Sequence, residues 1–407
     1  MHPRPYQEEA IDALNEHLST KDTNPCIVLP TGAGKSPLMA WIIWSFIDEY
    51  PPFRCIVLAH VKELIRQNAD KMKAIWPLAP VGVYSAGLRC RDMRDPITFA
   101  GIQSVYDKAL DFPPFDLIIV DEAHRIPTKG DGLYRRFITD AKLNNPNVRV
   151  LGVTATPYRL DGGEICHPNH ILQEVIYEAN VKTLIEDGYL CRLRSKAGDA
   201  TPDTSNLHIR KGEFIEKEIA ALVDPLVDEA VTEALSMLDG RKSRIWFCAF
   251  VSHAHAVSQA LAARGITAPV IHAKTSHDER DRVISDFTAG RINDLCNVNV
   301  LSEGFDAQRI DAVVMLRPTA SPGLYYQQIG RGLRLHPSKQ DCLVLDFAGN
   351  IERHGPIDTV SGEKVETRKC PHCKELFAKT VDTCPGCGWF ETVECEGCHL
   401  LVKKGTV

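Results

Sequence analysis

Residues 30–36 of this 407-residue chain, PTGAGKS, place glycines, a lysine and a serine directly after an apolar run. Gly32 and Gly34 would let the backbone turn so that N–H groups face phosphate oxygens, and a following helix would add its positive N-terminal end. Lys35 would reach the β- and γ-phosphates of a nucleotide, and Ser36 would ligate Mg²⁺. Leu29 stands where the full Gly-x-x-x-x-Gly-Lys-Ser/Thr pattern has its first glycine, so an ordinary strand-to-helix loop is the alternative.

An acidic pair follows another apolar run, in VDEAH at residues 120–124. Asp121 at a strand end would hold Mg²⁺, usually through water, and Glu122 would orient and deprotonate an attacking water. A solvated acidic helix start is the alternative for this fragment taken alone. The glycine loop and the acidic pair, in this order after two strands, together indicate a nucleotide-hydrolysing site.

The elements that must position these residues are short apolar, β-branched runs that alternate with helix-like segments. Runs that are apolar throughout, with room for crossover helices between them, are typical of parallel strands covered on both faces. There are too many for one compact sheet, so we predict two α/β domains, the second beginning near residue 180. The region from about 159 to 242 is more polar and mostly helix-like. The predicted strands are CIVL, RCIVLA, DLIIV, VRVLGV, RIWFCAF, LCNVNVL, DAVVML and DCLVLDF.

Polar segments follow these strands, as expected if ligands bind beyond the carboxyl ends of open parallel sheets. In this order they resemble the motifs of the superfamily 2 helicase core, from about Pro3 to Asp346. RPYQ resembles the motif that reads adenine, TATP the motif that couples the domains, and SEGFD a motif that faces the nucleotide. The resemblance implies two RecA-like domains with ATP and Mg²⁺, and members of this superfamily commonly lack the first glycine of the loop. The nucleotide-binding residues that it implies are Arg4, Gln7, Pro30, Thr31, Gly32, Ala33, Gly34, Lys35, Ser36, Gly304 and Asp306.

QQIGRGLR, residues 327–334, resembles the arginine motif of the family and gives a reason for two domains. A phosphoryl transition state spreads charge over its equatorial oxygens, and an arginine delivered from another domain neutralises that charge. ATP would close the cleft and hydrolysis would loosen it, which makes a mechanical cycle. A surface ion pair is the alternative for two nearby arginines. The catalytic set implied is Lys35, Asp121, Glu122, Gln327, Arg331 and Arg334.

In this family the cycle acts on nucleic acid, held mostly through phosphate contacts that carry no sequence information. VLAHVKELIRQ and TFAGIQS resemble strand-contacting motifs and make His60, Gln103 and Ser104 candidate contacts, with surface polar residues as the alternative. Gln327 stands where the RNA-remodelling groups carry histidine. This set of motifs is therefore more similar to the DNA-repair and restriction-subunit branch. The combination of this core with a cysteine-rich C-terminal tail is most similar to bacterial RadD-like helicases.

Six of the 14 cysteines lie between Cys370 and Cys398, and the other eight are scattered singly. CPHC and CPGC, ten residues apart, are two Cys-x-x-Cys turns whose four thiolates match a tetrahedral structural zinc site. Disulfides are the alternative, and a reducing compartment disfavours them. Cys395 and Cys398 lack an obvious partner pair: they could join His372 or His399 in a second site, meet another subunit or stay free. The predicted Zn²⁺ ligands are Cys370, Cys373, Cys384 and Cys387.

The formal net charge of −6 excludes a globally basic nucleic-acid binder but leaves room for local contacts. The longest apolar stretch, Leu38 to Ile47, is far shorter than a bilayer span, and the N-terminus carries acids where a signal peptide needs an apolar region. We therefore expect a cytoplasmic protein without a membrane partner.

The expected organisation is a RecA-like domain 1 at residues 1–178, a RecA-like domain 2 at 179–355 and a zinc ribbon at 366–400. The expected activity is that of an ATP-dependent DNA helicase or translocase in DNA repair or recombination, acting on single-stranded or junction-containing DNA. The alternatives within the enzyme class are an RNA helicase and a restriction-type duplex translocase. An alternative of another class is an ATP-gated nucleic-acid clamp that recruits protein partners through the zinc tail.

Overall fold

The computed structural model describes residues 2–127, 130, 132–156, 163–210, 212–300, 307–356 and 366–390, together with the backbone of 392–394 and 401–403. The chain divides into two compact units, the first comprising Met1–Ala179 and the second beginning at Asn180. All eight apolar runs predicted as strands form strands, and the predicted α/β class with parallel sheets is confirmed.

The first unit is built on an eight-stranded sheet in the order β4-β3-β5-β2-β6-β7-β1-β8. All its pairings are parallel except that of β4 with β3. Every residue of the central strands β2, β5 and β6 is buried, which is why β2 and the first four residues of β6 are continuous apolar runs in the sequence. The strands are β1 Pro25–Val28, β2 Cys55–Ala59, β3 Val81–Ser85, β4 Cys90–Arg91, β5 Ile97–Gly101, β6 Leu117–Asp121, β7 Arg149–Thr154 and β8 Glu174–Glu178.

Three of the described helices of this unit start soon after a strand ends. Helix α2 starts at Lys35, directly after Gly34 in a left-handed conformation, and α3 starts three residues after β2. Apolar residues at helical spacing bury one face of α3 against the sheet, and Asn68 lies among them. The α-helices are α1 Pro5–Thr20, α2 Lys35–Glu49, α3 Lys62–Ile75, α4 Ile102–Val105 and α5 Leu133–Asn144, with 3₁₀ turns at Ala86–Leu88 and Ala123–Arg125.

The second unit is built on a six-stranded parallel sheet in the order β13-β14-β12-β15-β16-β9. A short antiparallel hairpin, β10–β11, stands apart from the sheet. Among the described residues between 159 and 242 there are four strands, so the expectation of a mostly helical segment there is incomplete. The strands are β9 Arg192–Ala197, β10 Ile209–Arg210, β11 Glu213–Phe214, β12 Arg244–Phe247, β13 Val270–Ile271, β14 Asp294–Asn297, β15 Ala312–Met315 and β16 Asp341–Asp346.

Helices cover this second sheet, and the apolar core beneath them includes the fully buried Trp246. No helix among the described residues is long and apolar enough to cross a membrane. The α-helices of the unit are α6 Val181–Glu186, α7 Glu216–Val223, α8 Val227–Met237, α9 Val251–Ala262, α10 His277–Ala289, α11 Pro322–Ile329 and α12 Asn350–His354, with a 3₁₀ turn at Asp224–Leu226.

The cysteine-rich segment packs against β9, at the edge of the second sheet. Glu375 forms an antiparallel bridge with Lys196, and Ala197 N–H donates to the carbonyl oxygen of Lys374 at 3.2 Å. The segment therefore continues the second unit at one edge of its sheet. Its own strands are β17 Thr367–Lys369, β18 Leu376–Ala378, β19 Thr392–Glu394 and β20 Leu401–Lys403.

Candidate nucleotide site and metal centre

The PTGAGKS loop connects β1 to α2 at the carboxyl end of the first sheet. Ala33 N–H donates to the Pro30 carbonyl at 3.0 Å and closes the turn, and Gly32 and Gly34 have φ of 90° and 83°. Glycine adopts such φ values at little cost, so the chain turns here and enters the helix at Lys35, where the first N–H groups have no acceptor within the helix itself. The predicted loop residues are all buried or half-buried: Pro30, Thr31, Gly32, Ala33, Gly34, Lys35 and Ser36.

The start of the chain braces this loop. The Tyr6 hydroxyl donates to the Ala33 carbonyl at 2.7 Å, and Gln7 Nε2 donates to the Gly34 carbonyl at 3.1 Å. Gln7 Oε1 accepts the backbone N–H of Arg4 at 3.0 Å, so both ends of the Gln7 amide contact protein. The RPYQ segment therefore fixes the phosphate loop, and contact of Arg4 and Gln7 with adenine stays a prediction.

The acidic pair lies at the end of β6 and is almost completely buried. The Lys35 ammonium is 3.6 Å from Glu122 Oε1, which brings the loop lysine and the predicted base together. Burial, and then the negative charge of Glu122, raise the pKa of Asp121 from 3.8 to about 6. Glu122 has φ 53° and ψ 52°, a left-handed conformation unusual for a residue with a side chain, and such strained positions cluster at functional sites.

Glu122 is also linked to the TATP segment through His124. His124 Nδ1 lies 3.4 Å from Glu122 Oε2 and 3.0 Å from the hydroxyl oxygen of Thr154. The Thr154 hydroxyl donates to the Thr156 carbonyl at 3.1 Å, so Nδ1 must carry the proton in the contact with Thr154. The predicted motif segments of residues 120–124 and 154–156 thus meet side chain to side chain, whereas Pro157 lies outside the described residues.

The residues at this site fit Mg²⁺ and a triphosphate. Mg²⁺ prefers oxygen ligands, which the Asp121 carboxylate and the Ser36 hydroxyl supply. Two adjacent buried carboxylates repel each other, and a divalent cation beside Asp121 would offset the cost expressed in its raised pKa. The N-terminus of α2 and Lys35 are suited to bind phosphate oxygens.

The predicted residues of the second unit are placed only in part. Gln327, in α11, and Arg331, just after it, are buried, and Arg334 is half-buried. Gly304 and Asp306 lie outside the described residues, so their contact with nucleotide stays a prediction.

The three candidate nucleic-acid contacts lie together at the carboxyl ends of β2 and β5. Gln103 Nε2 donates to the His60 carbonyl at 2.9 Å, and Ser104 Oγ accepts the N–H of Ala86 at 3.0 Å. The Ser104 contact places the 3₁₀ turn Ala86–Leu88, and the exposed Arg89 that follows it, beside these candidates, and none of the residues 86–89 belongs to a motif that resembles the helicase family. The only signal for Arg89 was a cluster of arginines at residues 89–94 in an otherwise acidic chain.

The four predicted zinc ligands form one cluster, with all their sulfur atoms within 4.8 Å of one another. The Sγ atoms of Cys370 and Cys387 are 3.6 Å apart, and those of Cys373 and Cys384 are 3.5 Å apart. Four thiolates at about 2.3 Å from a zinc ion in a tetrahedron lie about 3.8 Å from one another, so the cluster fits the ion. All four are free thiols rather than disulfides. Cys395, Cys398 and His399 lie outside the described residues.

Charged contacts hold the cysteine cluster on the second unit. The Lys374 ammonium is 2.5 Å from Asp199 Oδ2 and 2.6 Å from Glu233 Oε1. Arg194, in β9, donates to Glu375 at 3.0 Å, and Glu375 is buried. Lys374 directly follows a zinc-ligand candidate, so metal binding and docking depend on the same turn.

Two family models match the chain in the order of its two units. Residues 1–159 match the model of the type III restriction enzyme res subunit, and residues 227–336 match the model of the helicase conserved C-terminal domain. Over these two ranges the chain is therefore similar to a two-domain helicase core.

Relatives and solved structures agree with this core. An ATP-dependent helicase of Schizosaccharomyces pombe named irc3, described as mitochondrial, is 31% identical in an alignment of length 364 that covers 86% of this chain and 58% of irc3. A DNA 3′-5′ translocase of Sulfurisphaera tokodaii, XPB2, is 23% identical over 81% of this chain and 78% of its own length. The fragment structure of an HsdR subunit of a type I restriction enzyme from Vibrio vulnificus superposes with a TM-score of 0.65 at 23% identity, covering 88% of this chain and 67% of that one.

Proposed function

We propose that the protein is an ATP-dependent DNA helicase or translocase, which couples ATP hydrolysis to movement on DNA or to its remodelling. The observation that carries this proposal is the arrangement of Lys35 and Glu122, 3.6 Å apart and next to Asp121, at the N-terminus of α2. The chain spans only 58% of the length of irc3. The helicase or translocase activity of the whole protein is therefore part of the proposal.

In the proposed mechanism, each residue of the first unit has one task. The N–H groups of the phosphate loop and Lys35 bind the phosphates, and Glu122 orients the attacking water and accepts its proton. The His124 ring, whose Nδ1 bonds to Thr154 and lies 3.4 Å from Glu122 Oε2, would help to orient the Glu122 carboxylate. Mg²⁺, held by Asp121 and Ser36, would supply positive charge to the phosphate oxygens.

The second unit contributes through the arginine motif in this proposal. Arg331 and Arg334 are the proposed cations for the charge that develops on the transferred phosphoryl group, with Gln327 in the same motif. The match to the helicase C-terminal model, which covers all three residues, supports their assignment.

DNA is the proposed polymer. The XPB2 relative is named a DNA 3′-5′ translocase, and the HsdR neighbour is a subunit of a type I restriction enzyme. Gln327 in place of a histidine is the sequence feature that points the same way. A role in DNA repair, similarity to the RadD-like branch and a location in the cytoplasm remain proposals, the last supported by the free thiols of the described cysteines.

The cysteine cluster is proposed to bind zinc as a structural ribbon. Four thiolate ligands leave no open coordination position for catalysis, so the ribbon would serve folding and contacts with nucleic acid or proteins.

Steady-state ATP hydrolysis tests the proposal, measured without polymer and with single-stranded DNA, duplex DNA or RNA. We expect little turnover alone, strong stimulation by DNA, and loss of turnover by at least a hundredfold in Glu122→Gln. Glu16→Gln, which changes an exposed carboxylate on α1, is the matched control and should behave like the wild type.

The outcomes separate the alternatives. Stimulation by RNA alone would move the protein to the RNA helicases, and stimulation by duplex but not single-stranded DNA would favour the restriction-type translocase. No stimulation by any polymer, with nucleic-acid binding that depends on ATP, would replace the motor with an ATP-gated clamp.

A further inference from the structure

Asn68 is a buried polar residue on an otherwise apolar helix face. It lies on the core side of α3 with Leu64, Ile65, Ala69 and Met72, and only 2% of its surface is exposed. Its Oδ1 is buried and has no hydrogen-bond partner in the part of the chain that the structure describes. An unpaired buried amide oxygen destabilises a fold, so packing alone does not explain an asparagine where a leucine would fit the pattern.

The other end of the amide has a partner at the nucleotide site. Asn68 Nδ2 donates to Asp121 Oδ2 at 2.8 Å, and both side chains are buried. An ionised carboxylate only accepts hydrogen bonds, so the amide must present its NH₂ group to Asp121 and cannot be flipped. Asp121 Oδ1 accepts the N–H of Glu122 at 2.9 Å, so both carboxylate oxygens are fixed. Asn68 thus sets the orientation of the proposed Mg²⁺ ligand.

Helix α3 also starts at the candidate nucleic-acid contacts. It begins at Lys62, two residues after His60, whose carbonyl accepts the Gln103 side chain. Asn68 follows about two helical turns later on the same helix. Residues 60–61, between β2 and α3, form the His60 loop. If a bound strand displaces this loop, the Asn68 amide that donates to Asp121 would therefore move with α3.

We propose that Asn68 is a positioning residue that holds Asp121 for the Mg²⁺-nucleotide complex and transmits strand binding at the His60 loop to that complex. The inference rests on the proposed function, and it names the side chain by which polymer and nucleotide influence each other. The coupling is reciprocal: strand binding changes the affinity for Mg²⁺-nucleotide by the same factor as the nucleotide changes strand affinity.

Equilibrium binding of a fluorescent ADP analogue to the full chain tests the positioning role, with Mg²⁺ as the titrant and no polymer present. We expect Asn68→Leu to weaken Mg²⁺-dependent binding about tenfold, the effect of one hydrogen bond to a charged group. Binding without Mg²⁺ should not change. Met72→Leu, a volume-conserving change on the same buried face, is the control and should match the wild type.

Asn68→Ala removes the same amide without adding bulk, and we expect the same tenfold loss, so the result does not depend on how one leucine packs. Asn68→Gln keeps an NH₂ donor and should recover part of the Mg²⁺ dependence. Unchanged Mg²⁺ dependence in both Asn68→Leu and Asn68→Ala would overturn the positioning role. An equal loss in Met72→Leu would do the same, because helix packing would then be the cause.

A second measurement repeats the titration with saturating single-stranded DNA. In the wild type, DNA should change the affinity for Mg²⁺-ADP. In Asn68→Leu, this factor, the ratio of the affinity with DNA to the affinity without DNA, should be closer to one. A factor equal to that of the wild type would refute transmission through Asn68. Failure of the motor proposal is distinguishable, because the titration without polymer tests Asn68 even if no polymer stimulates hydrolysis.

Discussion

His253 makes the stability of the second unit depend on pH in a direction that can be worked out. It lies on the buried side of α9, 2% exposed, and burial lowers its pKa from 6.5 to about 4. Its Nδ1 accepts the N–H of Ala249 at 3.2 Å, so the folded state holds the imidazole neutral. The unfolded chain binds a proton near pH 6.5 and the folded chain only near pH 4. The stabilisation is therefore complete above pH 6.5 and is lost as the pH falls from 6.5 toward 4.

The size of the effect follows from the two pKa values. A difference of about 2.5 pKa units corresponds to about 3 kcal/mol for the full transition, of which about 2 kcal/mol falls between pH 7.5 and pH 5. His253→Asn removes the titration and keeps an oxygen that can accept the Ala249 N–H. The free energy of unfolding of the wild type, minus that of the variant, should therefore fall by about 2 kcal/mol between pH 7.5 and pH 5.

Hydrogen exchange of the strand amides of β12 and β15, followed at increasing denaturant and corrected for intrinsic rates, measures this free energy in the second unit alone. Taking the difference between the two proteins cancels the carboxylates that titrate in the same range. His255→Asn, on the exposed side of the same helix, is the control and should show no such difference. A wild-type-minus-His253→Asn difference that does not vary with pH would refute the reasoning.

Three further changes probe the phosphate loop and the cysteine cluster. Gly34→Ala should weaken nucleotide binding at least tenfold in a fluorescence titration, because Gly34 has φ +83° and an added Cβ would lie 2.8 Å from Gln7 Nε2. Gly188→Ala is the control and should bind nucleotide normally, because Gly188 has a similar φ of +75° but open space around it. Cys384→Ser should lose bound zinc by elemental analysis, and zinc retained at the wild-type level would exclude the four-cysteine site. Lys374→Met should destabilise the docking of residues 366–390 by about 1 kcal/mol, because its ion pairs are partly exposed, and limited proteolysis should cut there faster; unchanged cleavage would contradict a docking role.

The sequence predicted most of the central strands, but missed β3 and β5 inside the first sheet and the strands at the sheet edges. A strand such as β2 is buried on both faces, and its residues are apolar throughout, which is the signal that a sequence carries. β8 (EVIYE) and β9 (RLRSKA) are edge strands whose charged side chains face solvent or ionic partners. Their pattern does not distinguish a strand from a polar loop, because the partners that make them strands lie far away in the chain.

The candidate site shows the same division between local and distant information. The order of the glycine loop and the acidic pair was sufficient to predict that Lys35 and Glu122 meet, because both follow parallel strands of one sheet. The sequence offered no signal for the bond from Asn68 to Asp121, 53 residues apart, or for the His124 contact with Thr154, 30 residues apart. These contacts depend on which helix face packs against which strand end. From the periodicity alone, Asn68 is only a polar residue that interrupts the apolar face of α3.

The cysteine-cluster segment covers part of the open side of edge strand β9, and β9 provides the surface on which that segment docks. β9 pairs with β16 on one side, and on its other side an open strand would leave N–H and C=O groups available to another chain. The turn after Cys373 covers part of that side through the Glu375 bridge and the Ala197 hydrogen bond, while Arg194 makes the ion pair that a buried Glu375 requires. Ligands bound in a preformed cluster lend their binding free energy to the fold around them. Zinc bound to these thiolates would accordingly stabilise the edge of the second sheet. The cysteine-rich composition indicates a separate module in the sequence, but in the structure this segment is part of the second unit.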